Sequence, residues 1–148
     1  MIALIQRVSR ASVDINEKEV AAIGPGLMVL LGIQVDDSEK EARKLALKTV
    51  SLRVFDDDKG DMNLDVKSVG GGVLVVPNFT LAADTSRGNR PGFSTAMPPK
   101  EAEPLFELFA TETSELTKGV QTGVFGADMQ VSLVNDGPIT ISLETKNT

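Results

Sequence analysis

Residues 26–51, GLMVLLGIQVDDSEKEARKLALKTVS, decide the fold. Residues 27–33 form a continuous apolar run of strand length, the pattern of a strand buried on both faces. Then the period changes. Ser38 with Glu41 three positions on makes a capping box, and two acids, Asp36 and Asp37, stand just before it. Ala42, Leu45, Ala46, Thr49 and Val50 follow at helical spacing, so 39–51 is predicted as an amphipathic helix.

Upstream, residues 2–8 and 11–15 read as extended, Asn16-Glu17-Lys18 as a polar turn, and 19–23 as a return strand closing a hairpin. Downstream, 52–55 is a short strand and Asp56-Asp57-Asp58-Lys59-Gly60 a turn; its acids lack the spacing and distal Glu of a calcium loop. Gly70-Gly71-Gly72 precedes a buried strand at 73–76, and no Gly-Lys-Ser/Thr follows, so the glycines make a turn rather than a phosphate loop. A polar loop spans 84–97. Pro98-Pro99 opens a second helix, which Pro104 is expected to delay until about residue 103 because it lacks an N–H. Strands return at 119–125, 129–134 and 139–144. The expectation is one α/β domain over residues 1–148, a mainly antiparallel, barrel-like sheet with two helices.

Composition narrows the chemistry. The 148 residues contain no Cys and no His, which removes thiol nucleophiles, Ser-His-Asp relays and imidazole-built zinc sites; no metal or cofactor is expected. Tyr and Trp are absent too, so carboxylates, Lys, Arg, hydroxyls, amides and the backbone remain. No apolar run approaches the ~18–20 residues of a membrane span, and MIALIQRVSRASV reads as a first strand rather than a signal. A cytoplasmic location without membrane contact is expected. The net charge of −6 argues against general DNA or RNA binding. One stretch departs from it: within 84–100, Asp84 faces Arg87, Arg90 and Lys100, a local +2 where RNA contact could concentrate.

Two short segments stand out. Pro77-Asn78-Phe79-Thr80-Leu81 ends a buried strand, and Asn135-Asp136-Gly137-Pro138-Ile139-Thr140 joins the last two strands. On local physics alone the first is strand packing with alternate residues in the core, and the second a hairpin turn. Together with Gln6-Arg7-Val8, Ala11-Ser12-Val13, Gly26-Leu27, Leu52-Arg53-Val54-Phe55, Met62-Asn63, Gly88-Asn89-Arg90-Pro91, Phe93, Gly123 and Phe125-Gly126-Ala127-Asp128-Met129, the chain resembles the D-aminoacyl-tRNA deacylase family along essentially its whole length. It departs from that pattern at Pro77 and Asn78, where the family usually has Ser and Gln, and at Asp61, where Lys is usual. A related family of animal deacylases has Pro at the first of these positions but Ala at the third, whereas Phe79 and the Asn-Asp-Gly-Pro run keep this chain with the main family.

The resemblance implies a homodimer that hydrolyses the ester at the tRNA 3′ end and spares L-aminoacyl-tRNA. It implies that Gly137–Pro138 is cis and reaches into the partner's pocket, where its carbonyls exclude an L side chain. Such a pocket should admit glycine, so hydrolysis of glycyl-tRNA, including glycine mischarged on tRNA(Ala), is expected. The main-chain N–H groups of Phe79 and Thr80 are expected to hold the developing oxyanion, with the terminal ribose 2′-hydroxyl helping to activate water. A covalent role for the Thr80 hydroxyl is the alternative, although no side-chain base is evident to activate it. Arg7 is expected to brace the Gly-Pro carbonyls, or else to make a surface ion pair. Asn78 and Met129 are expected in the pocket wall, with core packing the other reading of Met129. The rival classes are a non-catalytic RNA-binding module and a regulatory dimer that has lost activity through Pro77 and Asn78.

Overall fold

The computed structural model describes residues 1–147. Strand β1 (Ile2–Ile15) organises the sheet. It turns at Asn16 and Glu17, both at positive φ, into β2 (Lys18–Ile23), and then comes β3 (Gly26–Gly32). The two extended segments predicted at 2–8 and 11–15 are one continuous strand. Its first half pairs antiparallel with β3 and its second half with β2.

From β3 the chain crosses through α1 (Glu39–Ser51), the small antiparallel pair β4 (Phe55–Asp56) and β5 (Met62–Leu64), and returns as β6 (Gly72–Pro77). That long connection lets β6 lie parallel to β3, and β7 (Val120–Thr122), which follows α2 (Pro99–Leu116), lies parallel to β6. The sheet is therefore mixed: antiparallel around β1, as expected, and parallel at β3, β6 and β7. The parallel pairs occupy the continuous apolar runs, which suits strands covered on both faces.

Alternation divides those runs between two cores. Leu27, Val29 and Leu31 of β3, with Val73 and Val75 of β6, face Ala42, Leu45, Ala46 and Val50 of α1 and Leu105, Phe106 and Phe109 of α2. Met28 and Leu74, with Val76, face the other way and meet Val8, Ala11, Val13 and Ala21 inside the curl of the sheet. Gly26 and Gly72 make the strand approach possible, since a Cβ on Gly26 would lie 1.9 Å from the Gly72 carbonyl oxygen.

The predicted helix 39–51 is present with its box: the Ser38 N–H donates to Glu41 at 2.9 Å, and the Ser38 hydroxyl donates to the same carboxylate. The second helix starts at Pro99, not near 103. Pro99 needs no N–H at the first helical position. The carbonyl that Pro104 cannot serve belongs to Lys100, in an exposed first turn open to water.

The last strand, β8 (Gln130–Glu144), runs antiparallel to β1 over nearly its whole length. The predicted strands 129–134 and 139–144 thus belong to one strand, and the segment between them is a bulge rather than a hairpin turn. Its origin lies in the register: Gln6 pairs with Thr140 and Val8 with Asn135, so β1 advances two residues while β8 advances five. The excess is extruded at 136–139. Near the open end of the sheet, the buried Met1 ammonium donates to Asp37 at 2.7 Å, Thr145 at 3.0 Å and Gln34 at 3.1 Å. Among the described residues no helix is long and apolar enough to cross a membrane.

Candidate active site

Parallel strands leave a crevice beyond their carboxyl ends, where the connecting segments diverge. Here a cleft of about 890 Å³ opens beyond β3 and β6. Leu30, Leu31 and Ile33 line one side, Val76 to Phe79 the floor, Phe93 and residues 96–99 the far lip, and Phe125, Met129 and Val131 the remaining wall. Among its described lining residues Asn78 and Glu103 alone have polar side chains.

The floor is shaped by the end of β6. Pro77 closes the strand, and the chain tightens into a short 3-10 helix, Phe79–Ala82. The residues read as alternating strand positions are thus a turn, and Phe79 is 58% exposed rather than core. Its ring meets Phe93 edge-to-face at 5.0 Å. Asn78 is held on both sides of its backbone: its N–H donates to Leu31 O at 2.8 Å, and its carbonyl accepts from the Leu81 N–H at 3.3 Å. The Phe79 and Thr80 N–H groups meet no acceptor among the described residues. Gly32 permits this turn to sit against β3, for a Cβ there would come 2.8 Å from Leu81 Cβ and 3.2 Å from Asn78 O.

Asn78, Phe79 and Met129 therefore line one cleft, whereas Thr80 lies beside it with its hydroxyl 2.5 Å from Asn78 Oδ1. Gly137, Pro138 and Arg7 do not line it. Those three form a second cluster at the β8 bulge. The Gly137–Pro138 peptide is cis, and Gly137 has φ +139°. A Cβ at Gly137 would lie 2.8 Å from Ile139 N, so glycine is required there. Asn135 clamps the bulge, accepting from the Ile139 N–H at 3.0 Å and donating to Thr140 Oγ1 at 2.7 Å. Arg7 Nε donates to Asp136 O at 3.1 Å, one residue before the glycine, and Nη1 donates to Val54 O at 2.9 Å. Its guanidinium also lies 3.5 Å from Asp136 and 3.7 Å from Asp56, tying the bulge to the β4–β5 pair.

Elsewhere the carboxylates are engaged in turns. Asp57 accepts from the N–H groups of Asp61 and Lys59, which hold its pKa below the ordinary carboxylate range. Asp84 is lowered likewise by the Ser86 hydroxyl and N–H, at the start of the basic loop. No group of three or more His, Cys, Asp or Glu able to hold a metal ion occurs among the described residues.

The family model described as D-Tyr-tRNA(Tyr) deacylase matches residues 4–144. This chain belongs to that deacylase family. Among its deacylase relatives, the D-aminoacyl-tRNA deacylase of Xanthomonas axonopodis pv. citri (strain 306) is 56% identical over 144 residues, 97% of this chain and 99% of the relative. That of Klebsiella pneumoniae (strain 342) is 54% identical over the same shares. A solved structure named c-Myc DNA Unwinding Element Binding Protein superposes with TM-score 0.93 at 40% identity, covering 97% of this chain and 98% of that one. A probable eukaryotic D-amino acid tRNA deacylase shares the fold at TM-score 0.83 and 15% identity, over 96% and 97% of the two chains.

The cleft residues Phe93, Met97 and Phe125, and Gly123 behind Met129, were not singled out as site residues by sequence reasoning. Phe93 offered a signal, an aromatic ring inside a polar loop. Gly123 offered none by itself. Its lack of a side chain lets the Met129 thioether pack against the cleft floor, for a Cβ would meet Met129 Sδ at 2.7 Å and Pro77 Cδ at 3.4 Å.

Proposed function

We propose that this chain hydrolyses the ester of D-aminoacyl-tRNA in the cytoplasm, as a homodimer and without a cofactor. The observation that carries the mechanism is the strand end at Phe79 and Thr80, two unengaged N–H groups, the first on the floor of a largely apolar cleft and the second beside it. Ester hydrolysis generates negative charge on the carbonyl oxygen. Fixed main-chain donors in a dry site stabilise that charge, each worth roughly 10²–10³ in rate where such donors have been removed. The chain has no His or Cys, and the water-activating role goes to the substrate's own ribose 2′-hydroxyl because the family resemblance implies it. The protein's part is to hold the ester in line and exclude bulk water.

Chiral rejection is assigned to Gly137 and Pro138 of a second copy, inserted into this cleft and held by Arg7 and Asn135 from behind. Asn78 and Met129 form the wall against which the D side chain lies. Arg87, Arg90 and Lys100 neighbour the lip residues Phe93 and 96–99 in sequence, which supports entry of the tRNA 3′ end on that side of an otherwise acidic chain. Glycine has no side chain to exclude, so glycyl-tRNA is a slow substrate.

The test is release of labelled amino acid from D- and L-aminoacyl-tRNA at protein well below substrate. Loss of the D form alone is expected. Equal loss of both leaves an ester hydrolase but removes the chiral filter. A second reading, nucleic-acid binding without catalysis, draws on the name of the 40% identical solved structure; salt-steep binding with no release of either amino acid would favour it.

A further inference from the structure

Thr80 has no place on the cleft lining, yet its hydroxyl is directed at a residue that has one. The Oγ1–Oδ1 separation from Asn78 is 2.5 Å, a distance suited to an O–H donor and shorter than the usual N–H···O contact. A side-chain amide has an acceptor end and a donor end, and its rotation about the last bond exchanges them. With Oδ1 accepting from Thr80, Nδ2 is the end left over, and it meets no acceptor among the described residues. The Asn78 backbone cannot adjust, being fixed to Leu31 and Leu81. The Asn side chain is short, so its amide stays near the turn and within reach of Thr80.

From this we infer that Thr80 is a positioning residue: its hydroxyl locks the Asn78 amide so that Nδ2 donates into the cleft, to the ester carbonyl or a ribose oxygen of the substrate. The inference rests on the proposed deacylase reading and adds a residue to it. It requires no covalent step at Thr80. Removing the hydroxyl frees the amide to turn its oxygen toward substrate acceptors, which repel it.

The test compares wild type, Thr80→Val, Thr80→Ser, Asn78→Ala and the Thr80→Val/Asn78→Ala double variant. Two readouts are taken: hydrolysis of D-aminoacyl-tRNA, and affinity for the non-hydrolysable amide isostere of a D-aminoacyl-adenosine. Thr80→Val should lower kcat/KM and weaken isostere binding by roughly 3- to 10-fold, the worth of one neutral hydrogen bond, without moving the thermal midpoint. Thr80→Ser should restore both. On the Asn78→Ala background, Thr80→Val should change neither. Wild-type behaviour of Thr80→Val, or an equal loss on both backgrounds, overturns the inference; a loss on the order of 10⁵-fold overturns it in favour of a hydroxyl nucleophile. A wild type that binds the isostere in a hydroxyl-dependent way but releases no amino acid sinks the hydrolysis reading and leaves the positioning role standing. One that neither binds nor hydrolyses sinks both.

Discussion

Single residues set the cleft's shape through what they lack. Gly123 is the clearest case, because the atom nearest to a Cβ there is the flexible end of Met129 rather than backbone. Gly123→Ala should therefore fold, with a stability loss within about 1 kcal/mol, since a thioether moves aside cheaply. The space it moves into is the cleft. Catalysis should suffer more than stability, with kcat/KM falling roughly 10- to 100-fold through displaced substrate. Unchanged kinetics alongside an unchanged melting temperature would show that Met129 is not part of the working wall. At this scale the sequence was partly legible. Asn78, Phe79 and Met129 line one cleft, and Arg7 contacts the Asp136 carbonyl and Val54. Those partners lie 129 and 47 residues away in the chain, and no local pattern encodes such distances. The Met1–Asp37 ion pair was invisible for the same reason.

Elements were legible where they carry their own signals. The α1 boundaries follow from its capping box and helical period, and they came out as predicted. The same box gives a pH dependence. The Ser38 hydroxyl, and then the Ser38 N–H, lower the Glu41 pKa from 4.5 by hydrogen-bonding its charged form. A depressed folded-state pKa stabilises above the unfolded value, and that contribution is lost as pH falls through the folded one. Glu41→Gln should thus lower the melting temperature by about 1–3 °C at pH 7, with the gap to wild type closing as the pH falls through the lowered folded-state pKa. A gap that persists in acid would show that the carboxylate's charge is not what holds the helix start. What was not legible was pairing direction. A buried apolar strand reads the same in either sense, and only the tertiary path through α1 makes β3 and β6 parallel. Likewise Asn-Asp-Gly-Pro has the composition of a hairpin turn. It becomes a bulge because β1 is long enough to pair with both flanks.

Across the whole molecule, the two signature segments do not meet within one chain. The cleft is lined from β3, β6, α2 and the segment that leads into β8 as far as Val131, whereas the Gly137–Pro138 bulge lies farther along β8, opposite β1, and does not line it. A filter made of those carbonyls can act on this cleft only from another copy, so light scattering should give twice the chain mass. Mixed dimers make a sharper test. Gly137→Ala spoils the bulge, since its Cβ would sit 2.8 Å from Ile139 N, but leaves its own cleft intact. Phe79→Pro deletes the Phe79 N–H, one of the two proposed oxyanion donors, and leaves its own bulge intact. Alone, the first should lose discrimination between D and L esters, and the second should lose hydrolysis. When the two are refolded together, the Gly137→Ala cleft receives an intact Gly-Pro from its Phe79→Pro partner. D-selective hydrolysis should return at about half the wild-type rate per dimer for the mixed fraction. If the mixture behaves only as the sum of its parents, the filter does not cross between chains. Chiral selection would then have to arise within the wall formed by Asn78, Phe93 and Met129.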